Sequence, residues 1–582
     1  MPETLENMKL KWFGASILFI GIAAFLIFKI WETSIIAFLA PLFPAYARNP
    51  PLYYSDMIRL IATELLWMTV FLGLFFITLA STWFHDVINR FDRRLTENSQ
   101  TAMVSILVAF TIVTVLVATV GLRDFPNSAD EYAYLFQAED LAAGNLWSDV
   151  HPLPQFFDFD HIAQKDGKWI GRFPPGWPIL LAIAFVIGIP PFLINVVFGV
   201  IALWFFFQLT RRLYDERIAI WSLLGVAATG FYIFNSASYF SHTSSFLHVV
   251  CAMYFTFRYF DKRQGYFGLL AGVFVGLLAL TRPFTAVLIF APFYLYIVTT
   301  YKWDSVKPIL LITAGAMPMM LFLLWYNYKT TGDALVPVTV WAYDQEGVGF
   351  LRDHTPAKGL KHIFKRFAMF IYWVSPHLLI LYGIFIMTRL FDFRNILRHP
   401  EDYYFLLLVV GYFFYYEYGG NQYGPRFYFE GFPFLVAFVV VKALRQDHWW
   451  GRALLVTGIL FAFIKIPFIT DREHTIINER MDIYDKVAEA NIENAVILVR
   501  SATSVIRPMY PPNLVRNDKH YNNDVLYALD LGWENRVLMD YYPDKKFYLY
   551  KRNKFDSKGE LVEYSDSLLV SDGYQSEIVG EE

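Results

Sequence analysis

Apolar runs of about twenty residues recur along this chain as far as residue 470 or so, and that repetition limits what it can fold into. Such a run crosses a bilayer as a helix, because lipid offers nothing to an unpaired backbone group. Runs lie near 12–43, 57–83, 101–121, 177–209, 218–235, 246–260, 266–281, 284–299, 308–328, 367–388, 403–418, 432–446 and 453–469. They predict a polytopic α-helical membrane protein with about 13 transmembrane helices. The run 177–209 is interrupted by Ile189-Pro190-Pro191 and reads as one long kinked element or as two shorter ones. The first run is too long for the ~7–15-residue core of a cleaved signal and reads as a retained span.

Composition agrees: 56% of residues are hydrophobic, against ~45–50% in ordinary soluble domains. A net charge of −3 gives no electrostatic case for a nucleic-acid partner. Cys251 is the sole cysteine, which excludes an intramolecular disulfide and a thiolate metal site.

Lysines and arginines set the orientation. Arg90, Arg93 and Arg94 share one loop, and Arg211, Arg212 and Arg217 share another. Arg258, Lys262, Arg263, Lys302, Lys307, Arg389, Arg394, Arg398, Lys442, Arg445 and Arg452 fall on the same side when the N-terminus is cytoplasmic. The protein is then expected in the inner or plasma membrane with its C-terminus outside, or in the periplasm. Three regions follow: two N-terminal helices in 1–100, a membrane module in 101–470 with the long external loop 122–176, and an external tail in 471–582. The tail turns from apolar to mixed. NERMDIYDKVAEA (478–490) has helical spacing, while AVILVR (495–500) and KFYLYKR (546–552) read as strands, so a small external α/β domain is expected.

The loop 122–176 is acidic and carries the pair Asp130-Glu131 in NSADEYAY. Ser128 followed by Glu131 is a capping box that starts a helix. Adjacent helical residues point about 100° apart, so the two acids cannot face one substrate atom. Asp130 shares a face with Tyr134 and Gln137. Two readings stand for Glu131, a helix cap and a catalytic acid, and two for Asp130, a carboxylate favoured by the helix dipole and a catalytic base. Further on, Asp166-Gly167 marks a turn, and RFPPGWPILLA leads into the next span.

An acid pair just past a span, in a long external loop that ends in Pro-Pro, resembles the GT-C superfamily of membrane glycosyltransferases. The protein O-mannosyltransferases and the lipid A aminoarabinose transferase are the nearest in look. DEYAY is similar to their first-loop acidic motif and RFPPGWPILLA to their loop-ending segment. ALTRPFTAVL (279–288) and YGPRFYFEGFPFL (423–435) resemble later elements of bacterial members. The likeness runs over about 101–470 and departs from the family in the two extra N-terminal spans and the tail. It implies a polyprenyl-phosphate-linked sugar donor, a hydroxyl-bearing acceptor (protein, lipid or glycan), and hexosyl or pentosyl transfer, with Asp130 as general base. A single base without a covalent intermediate gives inversion at the anomeric carbon.

A lipid phosphate that leaves needs fixed cations, and a guanidinium suits it by donating in pairs. Arg426 and Arg282 are the candidates, followed by Arg172 and Lys168; Arg282 reads equally as an interfacial arginine at a helix end. Tyr134, His242 and Tyr423 are supporting candidates. His151, Asp158, Asp160 and His161 in HPLPQFFDFDHI leave a divalent metal possible, although no metal-ligand spacing is present. In the loop 329–366, the stretch from Pro356 reads as an interfacial amphipathic helix with Leu360, Ile363, Phe364 and Phe367 as its apolar side. The alternative function is a transporter or flippase of a lipid-linked or small polar substrate. Transporters place polar residues near the midplane of repeated halves, whereas here they gather at external helix ends and no repeat is visible.

Overall fold

The structure is a computed structural model that describes residues 5–39, 51–158, 160–343, 347–350, 354–390, 398–417, 419, 422–445, 449–500, 517–551 and 559–565. It is mostly helical. The helix Ser99–Leu116 shows how the sequence sets the packing. Val104, Val108, Ile112, Leu116 and Val120 recur every four residues and are each more than half exposed, while Met103, Phe110, Thr114 and Val117 face inward and are buried. A stripe of exposed branched residues would be costly against water and is at home against lipid.

Among the described residues, five helices are long and apolar enough to cross a membrane, or seven if each bent pair is one span. The thirteen runs of the sequence exceed that count, in which Pro283–Thr331 enters as one helix although two runs lie in it, and shorter helices are left out. Gly176–Ile187, Gly265–Thr281 and Pro376–Met387 are shorter apolar helices. The run 177–209 is two helices, Gly176–Ile187 and Phe192–Leu213, separated where Gly188 adopts φ 72° and two prolines follow. Glu216–Ala227 and Gly230–Ala237 meet at 64°. These last two, with His242–Lys262 and Phe432–Arg445, lie at the centre of the bundle and are nearly all buried.

The N-terminal helices Leu5–Leu39 and Pro51–Ala80 pack on each other, and the second packs on the 41-residue helix Trp449–Glu489. Glu64 joins the two, with Lys465 Nζ 3.0 Å from its carboxylate and 2.8 Å from the Tyr372 carbonyl. Lys29 and Glu32, three apart in the first apolar run and so able to pair on one helix face, have side chains outside the described residues. Trp449–Glu489 continues without a break through 470, so NERMDIYDKVAEA is its last segment. Beyond it, Ala495–Arg500 and Lys546–Lys551 form strands where the pattern put them. They lie in a four-stranded sheet ordered Val525–Leu529, Ala495–Arg500, Lys546–Lys551, Glu560–Glu563, parallel except for the last pair. Met481, Tyr484 and Val487 are buried, and the Tyr484 ring meets Phe125 of the long loop and Tyr527 of the sheet.

The helices Gly265–Thr281 and Val306–Thr331 cross where Gly272 faces Gly315. A Cβ on Gly272 would overlap the backbone oxygen of Ile312, which cannot move aside as a side-chain tip can. Gly272→Ala is expected to separate the helices and lower stability by about 1–3 kcal/mol. Thermal unfolding of the purified protein in detergent checks it.

Candidate active site

The loop helix Ala129–Ala142 begins as its sequence dictates. Ser128 is extended and accepts a hydrogen bond from the Glu131 N–H, with the oxygen 3.3 Å away. The Glu131 carboxylate accepts in return from Ser128 Oγ at 3.0 Å, from the Asn127 N–H at 3.0 Å and from the Tyr239 N–H at 3.1 Å. Glu131 is 1% exposed. Burial pushes its carboxyl up to about 7, against three donors that favour the anion.

The Tyr239 end of that contact is unusual backbone. Between Gly230–Ala237 and His242–Lys262 the chain leaves the helical path at 238–241. Three carbonyls freed there (Asn235, Ser238 and Phe240) all accept from Asn195 Nδ2 at 3.1, 2.7 and 2.8 Å. The Tyr239 carbonyl accepts from Trp177 Nε1 at 2.7 Å. Buried irregular backbone persists only when satisfied in this way.

Asp130, one residue earlier, points elsewhere and is 24% exposed at its side chain. Its Oδ2 lies 2.8 Å from Arg426 Nη1 and its Oδ1 3.2 Å from His161 Nε2. Burial works to raise the Asp130 pKa, but Arg426, with His161 and Arg172 behind it, holds the carboxyl below its ordinary value. Arg426 follows Tyr423 and Gly424, whose φ values of 57° and 102° turn the chain inward. Only glycine fits at 424, since a Cβ would come within 2.6 Å of the Phe231 ring. Arg426 is 4% exposed, its guanidinium stacked 3.7 Å from the centre of the Phe240 ring, and its Nε donor has no acceptor among the described residues.

His161 reaches Asp130 because of a hairpin. Strands Ile162–Lys165 and Lys168–Gly171 flank Asp166-Gly167, both at positive φ, as a two-residue turn requires. The register sets residue 161 opposite residue 172, and Arg172 Nη1 lies 2.9 Å from His161 Nδ1. A guanidinium only donates, so Nδ1 must accept and the proton of neutral His161 sits on Nε2, facing Asp130. Burial holds His161 down to about 4, which keeps it neutral.

The other candidates divide. Arg282 lies 3.3 Å from Glu430 Oε1, 3.3 Å from His242 Nε2 and 3.1 Å from the Tyr412 hydroxyl. His242 therefore belongs with Arg282 rather than with Asp130. Glu430 is fully buried, and burial pushes its carboxyl up to about 7. Tyr134 stands between the two groups: its hydroxyl is 3.2 Å from Ser241 Oγ and its ring 4.3 Å from Phe173. The buried Tyr423 contributes packing on Phe234, Phe240 and Trp373, and its carbonyl accepts from Asn235. Lys168 is at the far end of the four-residue strand from Arg172, about 13 Å away by strand rise. It donates to the Thr330 carbonyl at 2.7 Å and lies over the Trp147 ring.

In the sequence His161 reads only as a metal-ligand candidate or a polar loop residue, and Glu430 is not singled out. The signal for His161 was present, because a turn at Asp166-Gly167 pairs positions equally distant from it. Among the described residues no three His, Cys, Asp or Glu side chains converge on a metal position. The donor set at Asp130 does not fit a divalent ion either. One oxygen faces a guanidinium, and the histidine beside the other takes its hydrogen bond from a second guanidinium.

Residues 174–326, about a quarter of the chain, match the model of the dolichyl-phosphate-mannose-protein mannosyltransferase family. That match bears out the likeness for ALTRPFTAVL and for most of RFPPGWPILLA; DEYAY and YGPRF lie outside it. No curated protein matches the sequence. Among solved structures, ArnT from Cupriavidus metallidurans bound to undecaprenyl phosphate is similar at 10% identity and TM-score 0.48, over 76% of this chain and 92% of that one. The Archaeoglobus fulgidus oligosaccharyltransferase in its apo form is similar at 10% identity and TM-score 0.46, over 77% and 69%. The archaeal oligosaccharyltransferase AglB, in complex with an inhibitory peptide and a dolichol-phosphate, is similar at 11% identity and TM-score 0.44.

Two predictions follow from the Asp130–Glu131 geometry. Glu131→Ala leaves three donors without an acceptor, at roughly 1–3 kcal/mol for each one buried. The variant should unfold at a lower temperature, and Glu131→Gln, which keeps one acceptor oxygen, should fall between it and wild type. The Asp130 pKa is depressed from 3.8, so its pairing stabilises the fold above that pH and the stabilisation is lost as pH falls through the lowered value. The difference in unfolding temperature between wild type and Asp130→Asn is expected to be constant above about pH 5 and to shrink toward pH 2.

Proposed function

We propose that the protein transfers a sugar from a polyprenyl-phosphate donor to a hydroxyl-bearing acceptor at the external membrane face, with inversion and with Asp130 as the base. The carrying observation is the pair Asp130–Arg426, with Oδ2 and Nη1 2.8 Å apart while Arg426 Nε is buried without an acceptor among the described residues. One guanidinium thus holds the base and keeps a donor for a phosphate oxygen. The family match over 174–326 supports the substrate class.

The acceptor oxygen attacks the anomeric carbon as the bond to the phosphate oxygen breaks, and its proton passes to Asp130. The carboxylate loses its charge at the moment the leaving lipid phosphate gains one. Arg426, released by a neutral Asp130, then turns to the phosphate, so the total charge around it is unchanged and little reorganisation is needed. Arg282, already held by Glu430 and Tyr412, is the second cation. The N–H of His161 steadies Oδ1 throughout, because the Arg172 hydrogen bond prevents the ring from turning over. A lowered pKa makes Asp130 a weak base, which suffices because the hydroxyl becomes acidic only as its new bond forms.

In this reading the thirteen crossings, a cytoplasmic N-terminus and an external 471–582 domain put the Asp130 group at the outer headgroup level. The Pro356–Trp373 helix fits there, with Leu360 and Phe364 exposed along one edge and Lys361 and Lys365 beside them.

The test is turnover by the purified protein in lipid with a panel of polyprenyl-phosphate sugars and membrane acceptors. Asp130→Asn should bind the donor and turn it over ~10²–10⁴-fold more slowly. Wild-type rate should show no acid limb from Asp130 above about pH 4, since its carboxyl stays ionised there. Equal consumption of donor by both proteins would place the base elsewhere. Movement of a lipid-linked sugar across the bilayer without consumption would make the protein a transporter.

A further inference from the structure

The hairpin that carries His161 and Arg172 is covered on its other side by a turn of the C-terminal region. Asp518 shapes that turn, accepting from the His520 N–H at 2.7 Å and the Asn522 N–H at 3.0 Å, while Tyr521 takes a φ of 54°. Asn517 ties the turn to the sheet by exchanging two hydrogen bonds with the Tyr527 backbone, at 2.7 and 2.8 Å. The turn is therefore a stiff projection of the sheet, and it presents Lys519 and Tyr521 to the long loop.

Both residues end at built positions. Lys519 Nζ lies 2.7 Å from Asp140 Oδ1, which also accepts from Ser148 Oγ at 2.7 Å. The exposures of the two side chains are 12% and 1%, so the pair is buried. Asp140 stands in the last turns of the helix whose first turn holds Asp130. Tyr521 stacks on Trp169 with ring centres 5.6 Å apart and planes at 15°, and meets Phe157 at 4.4 Å and His151 at 4.5 Å. Trp169 lies on the hairpin strand Lys168–Gly171, which Arg172 directly follows. His151 Nε2 in turn lies 2.9 Å from the hydroxyl of Tyr542.

We propose that Lys519 and Tyr521 form a latch by which the C-terminal region sets the position of Asp130, Lys519 through the helix and Tyr521 through the Trp169–Arg172–His161 side of the hairpin. Both are positioning residues, and neither touches the reacting atoms. The proposal rests on the reading of Asp130 as the base.

The test uses the full-length protein in lipid, with turnover, donor KM and hydrogen exchange of peptides covering 128–142 and 161–172. Tyr521→Ala and Lys519→Met are expected to raise exchange in both peptides and to lower kcat about ten-fold or more with donor KM little changed. Tyr521→Phe should restore both readouts, because the buried Tyr521 hydroxyl has no hydrogen-bond partner among the described residues and only the ring is used. Lys519→Arg should restore them in part. Unchanged exchange in a folded Tyr521→Ala protein overturns the latch. Raised exchange at wild-type kcat reduces it to a structural contact, and a defect in Tyr521→Phe equal to that of alanine removes the stacking argument. If wild type consumes no donor, exchange alone decides: a rise keeps the latch and loses the transferase reading.

Discussion

One carboxylate that is not the proposed base holds the site together. Glu131 accepts from Asn127 and Ser128 in its own loop and from the Tyr239 N–H in the break between two buried helices. That last bond ties the loop helix to the break, beside Asn127, which bonds Glu473, Gln422 and Arg480, and Asp130, which meets Arg426. A helix turns 100° per residue, so anchoring residue 131 fixes where residue 130 must point. The direction of Asp130 toward Arg426 and His161 is thus a consequence of the burial of its neighbour. The paired acids of the sequence have separate work, one structural and one chemical.

The guanidiniums are arranged on a similar division. Arg282 is ion-paired with Glu430 and bonded to His242, Thr285 and Tyr412, and so has a fixed place. Arg426 is held by one carboxylate and one aromatic face and, among the described residues, retains an unfilled donor. Arg366 is buried and spends its donors on the carbonyls of Tyr412 and Glu417 at 3.0 and 2.9 Å, bracing the wall on which Arg282 rests. A buried cation with an open hydrogen-bond site is the costly member of such a set. Arg426 is that member, and it faces the base.

Much of this was legible in the chain because the signals are local. The cap at Ser128, the turn at Asp166-Gly167, the break at Gly188–Pro191 and the two strands of the tail each follow from a few adjacent residues. The pairing of Asp130 with Arg426, and of Arg282 with Glu430, joins residues far apart in sequence and depends on how the bundle closes. Lys168 and Arg172 look alike in the sequence, yet a four-residue strand separates them and only Arg172 reaches His161. The number of crossings was hard to read for a related reason. Apolar runs mark segments that avoid water, but a run can bend within itself, as 218–235 does by 64° between Glu216–Ala227 and Gly230–Ala237, where Thr229 caps the second helix, and hydropathy does not show it.

The break at 238–241 also explains why the site lies where it does. A continuous helix would spend its carbonyls on itself and offer the loop nothing to hold. The unwound stretch offers the Tyr239 N–H to Glu131, the Phe240 ring to Arg426 and the Ser241 hydroxyl to Tyr134, three contacts from three successive residues. Asn195 and Trp177, on the two helices that follow the long loop, pair the carbonyls that this arrangement leaves over. The loop, the break and the pair of helices after the loop therefore form one connected unit. Its geometry is set by backbone pairing, which is stiff, rather than by side chains alone. A base and a cation mounted on such a unit keep their separation while lipid and acceptor arrive from different sides, which is what a transfer reaction between two phases requires.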